Sequence, residues 1–193
     1  MNLKSMAILA TLTVLSLASL STLAADYVID TKGSHASIGF KVSHLGYSWV
    51  TGRFNRFSGE FSYDADNPAD AKVSVEIETG SIDSNHAERD KHLRSDDFLN
   101  VNKYPKALFV STGYKELGDG KGELEGKLTL HGVTKPLSIE VNKVGEGKDP
   151  WGGYRAGFKG ETSFAMADFG IRKNLGPAAR EVTLYLNIEG IRK

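Results

Sequence analysis

The sequence contains no cysteine. That absence excludes a disulfide framework, thiolate metal ligation, a thiol nucleophile and a lipid anchor on an N-terminal cysteine. It also lacks an excess of either charge, since 24 Lys and Arg residues balance 24 Asp and Glu residues. With no basic field, nucleic acid is not an expected partner and an anionic membrane is not held electrostatically. No GxSxG elbow, HExxH pair or phosphate-cradling glycine loop occurs, so the chain does not read as an enzyme and no catalytic residue or cofactor is expected. One enzymatic arrangement stays open, a carboxylate pair drawn from Asp90, Asp96 and Asp97.

What is present begins at the N-terminus. Lys4 is followed by an apolar run over residues 6–20, and then by the small residues Ser21, Thr22, Ala24 and Ala25. This is the layout of a secretory signal peptide. Thr22 and Ala24 meet the small-residue requirement before a cut, which predicts a signal peptide over residues 1–24, cleavage after Ala24 and a periplasmic mature protein. An uncleaved anchor competes, because the run is nearly long enough to span a bilayer. The 169 residues from Ala25 to Lys193 suit one domain with one core.

Beyond Ala25 the dominant signal is alternation of apolar and polar residues, the mark of strands with one buried face. Ile38, Phe40 and Val42 share a parity, as do Phe57, Phe61 and Tyr63, and Val73, Val75 and Ile77. Leu124, Leu128 and Leu130, then Leu137, Ile139 and Val141, and finally Val182, Leu184, Leu186 and Ile188 repeat the pattern. Glycine-rich stretches at 118–122, 131–136 and 145–153 read as hairpin connections. Successive hairpins make a meander of about eight strands, enough for a closed antiparallel barrel that either packs its interior or holds one small ligand. A two-sheet sandwich is the alternative. Gly39, Gly59, Gly126 and Gly160 inside strand patterns favour the barrel, because curved sheets need glycine at bends.

One segment departs from alternation. Residues 85–100, NHAERDKHLRSDDFLN, predict a short polar helix near one rim, with Asn85 as N-cap, Glu88 as its reciprocal partner, and Asp90 paired to Arg94 one turn on. Asn67-Pro68-Ala69-Asp70 predicts a single further turn with proline in first position.

These segments, together with FKVSHLGYSWVTGRF at 40–54, KYP at 103–105, LTLHGVTKP at 128–136 and DPWGGYRAGF at 149–158, resemble the YceI-like family of periplasmic polyisoprenoid-binding proteins. The resemblance covers essentially the whole mature chain. It implies an all-β fold: a single eight-stranded antiparallel lipocalin-like barrel with a long apolar pore and a short helix at its opening. It further implies an isoprenoid or quinone-like lipid as ligand, with prenyl-phosphate-like molecules and, in some members, fatty-acid amides as further ligands, and it fixes no set of head-group contacts.

Physical chemistry bears on the same expectation. A dry lumen of roughly 300 Å³ would cost on the order of 7 kcal/mol at about 24 cal/mol per Å³, a large share of a domain's ~5–15 kcal/mol stability. Such a lumen must collapse or be filled, and a buried chain returns about 0.8 kcal/mol per methylene. The candidate lumen residues are Ile38, Phe40, Val42, Phe57, Phe61, Val75, Ile77, Phe109, Phe158, Phe164, Leu184 and Leu186; taken singly, each is equally a plain core residue.

Candidates for a polar or anionic head group are Arg89, His92 and Arg94 on the helix. His86 and His92 lie six apart and point to different sides, so no metal site is expected from the helix alone. Tyr47, Trp49 and Trp151 are amphipathic rings on loops, suited to packing a barrel end, lining an entrance or touching a membrane transiently. A monomer and a dimer both fit the sequence. Three function classes stand: lipid carrier, periplasmic enzyme on a lipid-like substrate, and protein-binding barrel with a packed core. An internal cavity separates the first from the last.

Overall fold

The computed structural model describes residues 24–193, so the expected signal peptide lies outside the described residues except for Ala24. The strands are β1 (Ala25–Ile29), β2 (Ser37–His44), β3 (Ser48–Phe54), β4 (Phe57–Tyr63), β5 (Lys72–Glu78) and β6 (Ile82–Asp83). Then come α1 (Ala87–Arg94), β7 (Lys106–Gly118), β8 (Lys121–Leu130), β9 (Val133–Lys148), β10 (Tyr154–Ala165) and β11 (Glu181–Arg192). Single 3₁₀ turns stand at Pro68–Asp70, Thr79–Ser81, Met166–Phe169 and Pro177–Ala179, the first at the predicted proline. Among the described residues no helix is long and apolar enough to cross a membrane.

The eleven strands make eight staves. β11 pairs along one edge with β1 through Tyr27↔Arg192 and with β2 through Leu184↔Phe40, so β1 and β2 form one interrupted stave. β4 pairs with β1 and β3 with β2, so β3 and β4 form the next stave. β5 and β6 form the third by pairing with β4 and β3. β7 to β11 follow as consecutive antiparallel hairpins, and the β1–β11 ladder closes the ring. Closure leaves only the two-residue β6 without a second partner, where a sandwich would expose full-length edges. The predicted meander barrel is therefore the observed fold, with three of its staves broken once each.

The breaks at 30–36, 55–56 and 79–81 lie side by side, and polar bonds stitch them. Asn55 N donates to Ser81 O at 3.1 Å and Arg56 N to Ser81 Oγ at 3.0 Å, while Ser81 Oγ donates to Glu78 O at 2.6 Å. Thr79, fully buried, donates from Oγ1 to Tyr104 O at 2.7 Å. Backbone groups released by each break thus find partners on the neighbouring stave.

Two-residue turns join the staves where the sequence carries glycine. Asp119-Gly120 and His131-Gly132, and likewise Leu45-Gly46 within the three-residue β2–β3 connection, have positive φ at both residues, the geometry whose twist matches antiparallel strands. The 145–153 connection is shorter than expected: β9 continues to Lys148, and Asp149 Oδ1 caps the turn by accepting from Trp151 N and Gly153 N.

Candidate ligand-binding site

Inward positions follow the alternation, and they leave space along the barrel axis. One apolar cavity of about 130 Å³ is enclosed by residues that include Ile29, Phe61, Val75, Phe109, Leu124, Ile139, Phe158 and Leu186. A second of about 100 Å³ lies toward α1, among Phe40, Val42, Phe54, Leu130, Phe164 and Val182. Ile38, Ile77, Leu128 and Leu184 line both and form the waist between them. From Val182 to Ile188 the two chambers run along roughly 20 Å of β11 at ~3.4 Å per residue.

The shape of this space depends on glycines facing large rings. The Phe40 ring lies over Gly52 on the next stave, Phe109 over Gly126, and Phe61 over Gly190, each so close that an added Cβ would collide with the ring. Small-against-large pairing lets aromatic residues lie along the wall rather than fill the centre.

Of the twelve lumen candidates, eleven line one or both cavities. Phe57 lines neither and packs against the core at the break between β3 and β4. The helix-side chamber is capped by Leu93, Phe98, Leu99, Met166 and Ile171.

The structure does not bring Arg89, His92 or Arg94 to either cavity. Arg89 donates from Nε to Ser84 Oγ at 2.7 Å and from Nη2 to Ser84 O at 2.6 Å. Arg94 Nη1 donates to Ile82 O at 3.1 Å, and His92 meets Asp97 at 2.8 Å with its ring edge-on to Phe98. The helix starts one residue later than expected, with His86 Nδ1 as the cap that accepts from Arg89 N. Asn85 instead takes a positive φ of 60°, which removes it as the cap. Asp90 turns inward, away from the expected pairing with Arg94, and accepts from Ser84 N at 2.8 Å and Ser84 Oγ at 2.5 Å. Nor do Asp90, Asp96 and Asp97 meet inside the barrel. Asp97 lies outside with Lys173 at 2.5 Å, and Lys173 followed by His92 lowers its carboxyl below the usual range.

Tyr47 and Trp151 sit on turns as expected, but Trp49 belongs to strand β3, and none of the three packs a barrel end. Tyr47 is 89% exposed, Trp151 78% and Trp49 60%. Trp49 has Lys41 above its ring at 5.0 Å, and Trp151 has Arg155 at 5.5 Å.

Sequence reasoning missed the polar groups at the end remote from α1. There Tyr63 and Tyr114 line the larger cavity. Lys143 Nζ lies 2.9 Å from Glu146 Oε1 and 5.0 Å over the Tyr63 ring. Burial pulls the Lys143 ammonium down, but Glu146 and Tyr63 together raise it above its ordinary value. Burial, then Tyr63, raises the Tyr114 phenol, so it stays protonated at neutral pH. Extending the 137, 139, 141 parity by one step would have pointed Lys143 inward.

A second polar cluster missed from sequence lies outside the barrel at the 30–36 break. Asp30, His35 and Glu189 converge with ligand atoms within 4.8 Å, a spacing compatible with a metal. A protein cation already holds that place: Arg155 Nη1 donates to Asp30 Oδ2 at 2.8 Å and to Glu189 Oε1 at 2.5 Å, and Nε donates to Asp149 Oδ2 at 2.9 Å.

A closed eight-stave barrel around two apolar chambers in line defines a lipocalin-like protein with a hollow, greasy axis. The chain belongs to the YceI-like family, whose domain model matches residues 27–190. UPF0312 proteins of Shewanella sp. (strain ANA-3) and Shewanella baltica (strain OS155 / ATCC BAA-1091) are 63% identical over 177 residues, covering 92% of this chain and 93% of theirs. Among solved structures, the YCEI protein of Campylobacter jejuni is 27% identical, with a TM-score of 0.71 over 79% of this chain and 91% of its own. BcnA of Burkholderia cenocepacia matches with a TM-score of 0.75 at 20% identity, covering 83% and 98%. A polyisoprenoid binding domain from Saccharophagus degradans matches at 0.62 and 15% identity, covering 89% and 100%. The last two share the fold.

Proposed function

We propose that this protein binds, and thereby transports or stores, an amphiphilic isoprenoid or other long-chain lipid in the periplasm, and catalyses no reaction on it. The observation that carries the reading is the pair of apolar cavities joined at the Ile38, Ile77, Leu128 and Leu184 waist. Left dry, the larger would cost about 3 kcal/mol at ~24 cal/mol per Å³. Burying roughly four methylenes offsets that cost. Each chamber is comparable to the ~150 Å³ apolar cavity that takes up benzene, so a flexible chain threaded through both fits better than one compact solute.

The solved relative from Saccharophagus degradans is described as a polyisoprenoid binding domain, which agrees with a prenyl tail here. Periplasmic delivery rests on the Lys4, apolar-run and Thr22/Ala24 layout of residues 1–24. Exposed Tyr47 and Trp49 beside Leu45 suit brief contact with a bilayer during loading. Mass spectrometry of organic extracts of freshly purified protein tests the reading. Stoichiometric co-purified lipid is expected, and none from several expression hosts would sink it. Bound lipid should also raise Tm by mass action.

A further inference from the structure

The two rims of the barrel present different surfaces to solvent. At the α1 rim, Leu45 and Tyr47 stand on the β2–β3 connection with Trp49 just inside β3, and all three are exposed. Leu175, also exposed, joins them. Its loop is tied to this rim at both ends, by Lys173 to Asp97 beyond α1 and by Pro177–Ala179 packed against β2. Leu45 is the oddest of the four, with a φ of 56° and 59% of its surface in solvent. A leucine rarely takes positive φ, and here it gains no burial in return. Neither the turn nor the core accounts for it.

The chain is neutral overall, yet its charges are unevenly placed. Lys41, Arg53, Arg89 and Arg172 belong to the α1 rim, and none of them forms an ion pair among the described residues. Lys41 lies between the Trp49 and Tyr185 rings at 5.0 and 4.7 Å, and Arg89 bonds to Ser84. Trp49, Arg53 and Arg89 line one open cleft with His44. The one carboxylate on its wall, Asp83, is engaged by Asn55 and Asn85. Glu88 and Asp96 around α1 are matched by Lys91 and Lys103. The opposite rim is arranged otherwise. Its Lys143, Arg155 and Lys193 are each paired with carboxylates. Lys115, Lys121 and Lys148 alternate along its turns with Glu116, Asp119, Glu146 and Asp149. Unpaired positive charge beside exposed aromatic and aliphatic groups thus concentrates at one end.

We infer that the α1 rim docks on an anionic lipid bilayer, with Leu45, Tyr47 and Trp49 entering the interface and Lys41, Arg53, Arg89 and Arg172 meeting lipid phosphates. The inference rests on the carrier reading above and names the surface from which it loads. Trp and Tyr rings favour the boundary between headgroups and acyl chains. Cations close to an anionic leaflet are drawn to it within about a Debye length. Because the net charge is close to zero, attraction comes from the local patch, which fixes the orientation. A docked barrel then presents its helix-side chamber, under Leu93, Phe98 and Leu99, to the bilayer. A second copy seated on the same face would set these four cations against their equals.

The test uses the full mature chain and vesicles of phosphatidylcholine alone or mixed in equal parts with phosphatidylglycerol. Sedimentation measures partitioning, and the two tryptophans report orientation: Trp151→Phe leaves Trp49 as sole reporter, and Trp49→Phe leaves Trp151. The phosphatidylglycerol vesicles should bind the protein about tenfold or more tighter, with high salt removing the difference. Trp49 emission should shift to the blue and Trp151 emission should not. Arg53→Gln with Arg172→Gln should weaken binding to the charged vesicles about tenfold. Leu45→Gly suits the positive φ and so cannot act by unfolding the turn; it should weaken binding about threefold or more. Equal binding to both vesicles, or a blue shift at Trp151 instead, would overturn the docking face. So would a Trp49 shift without vesicles that grows with protein concentration, which would make the face an interface between copies. Lipid content of the same samples, measured by mass spectrometry, separates the two readings. Protein that carries lipid yet ignores the vesicles overturns docking alone, and protein that docks but carries none overturns the carrier alone.

Discussion

Arg155 and Asp30, 125 positions apart in the sequence, meet at 2.8 Å and fasten the break in the first stave to β10. Asp30 is 6% exposed and also accepts from His35 Nδ1 at 2.9 Å and from Gly33 N at 2.8 Å. Removing Arg155 takes the shared cation from Asp30, Glu189 and Asp149 at once, whereas removing Asp30 leaves Arg155 still paired with the other two. Arg155→Met should therefore lower the urea midpoint of unfolding, and by more than Asp30→Ala does. An unchanged midpoint in both variants would show that the pair is solvated in practice.

The same cluster predicts a pH dependence. His35, then Arg155 and the Gly33 N–H, hold the Asp30 carboxyl well below the usual carboxylate range. A depressed folded-state pKa adds stability that is full above the unfolded value, near 4, and is lost as pH falls toward the folded value. Unfolding free energy should thus decline on acidification from about pH 5, and less steeply in Asp30→Asn. Equal slopes in both proteins would place the acid sensitivity elsewhere.

The waist sets how long a chain the lumen accepts. Leu184→Trp should obstruct passage between the chambers at a stability cost of about 1–3 kcal/mol. Affinity for a farnesyl-length probe should fall more than affinity for a five-carbon one. Parallel losses for both lengths would mean that the chambers do not act in series.

Gly52 is required by the ring opposite it. A Cβ there would strike the Phe40 ring and crowd the Asp83 carbonyl, part of the β3–β6 backbone. Gly52→Ala should destabilise by about 2 kcal/mol, and Phe40→Leu in the same chain should restore part of the loss. Additive losses in the double variant would disprove the coupling.

Asp90 holds the rim segment before α1. Its Oδ1 takes both the backbone N and the Oγ of Ser84, and Ser84 in turn receives Arg89. Asp90→Ala should cost about 2 kcal/mol, leaving the buried Ser84 N–H unsatisfied. Faster hydrogen exchange at residues 84–94, with β8 to β11 unchanged, would confirm that the damage stays local.

Alternation, glycine-bearing turns and the polar stretch after Ser84 were enough to foresee a closed meander with a short helix, because side chains alternate faces wherever a strand is regular. Eleven of the twelve candidates line a cavity, and those in the alternating runs follow from parity. Tertiary structure decided the rest. Bulges at 111–113 and 144 reset parity, and only the pairing of β7 with β8 and of β9 with β10 fixes where the extra residue falls. That is why Tyr114 was illegible as an inward group. The helix basic residues looked available for a ligand in one dimension, yet folding gave Arg89, Arg94 and His92 to Ser84, Ile82 and Asp97. Sequence specifies which residues seek burial or a partner; which partner each one reaches depends on the strands that arrive beside it.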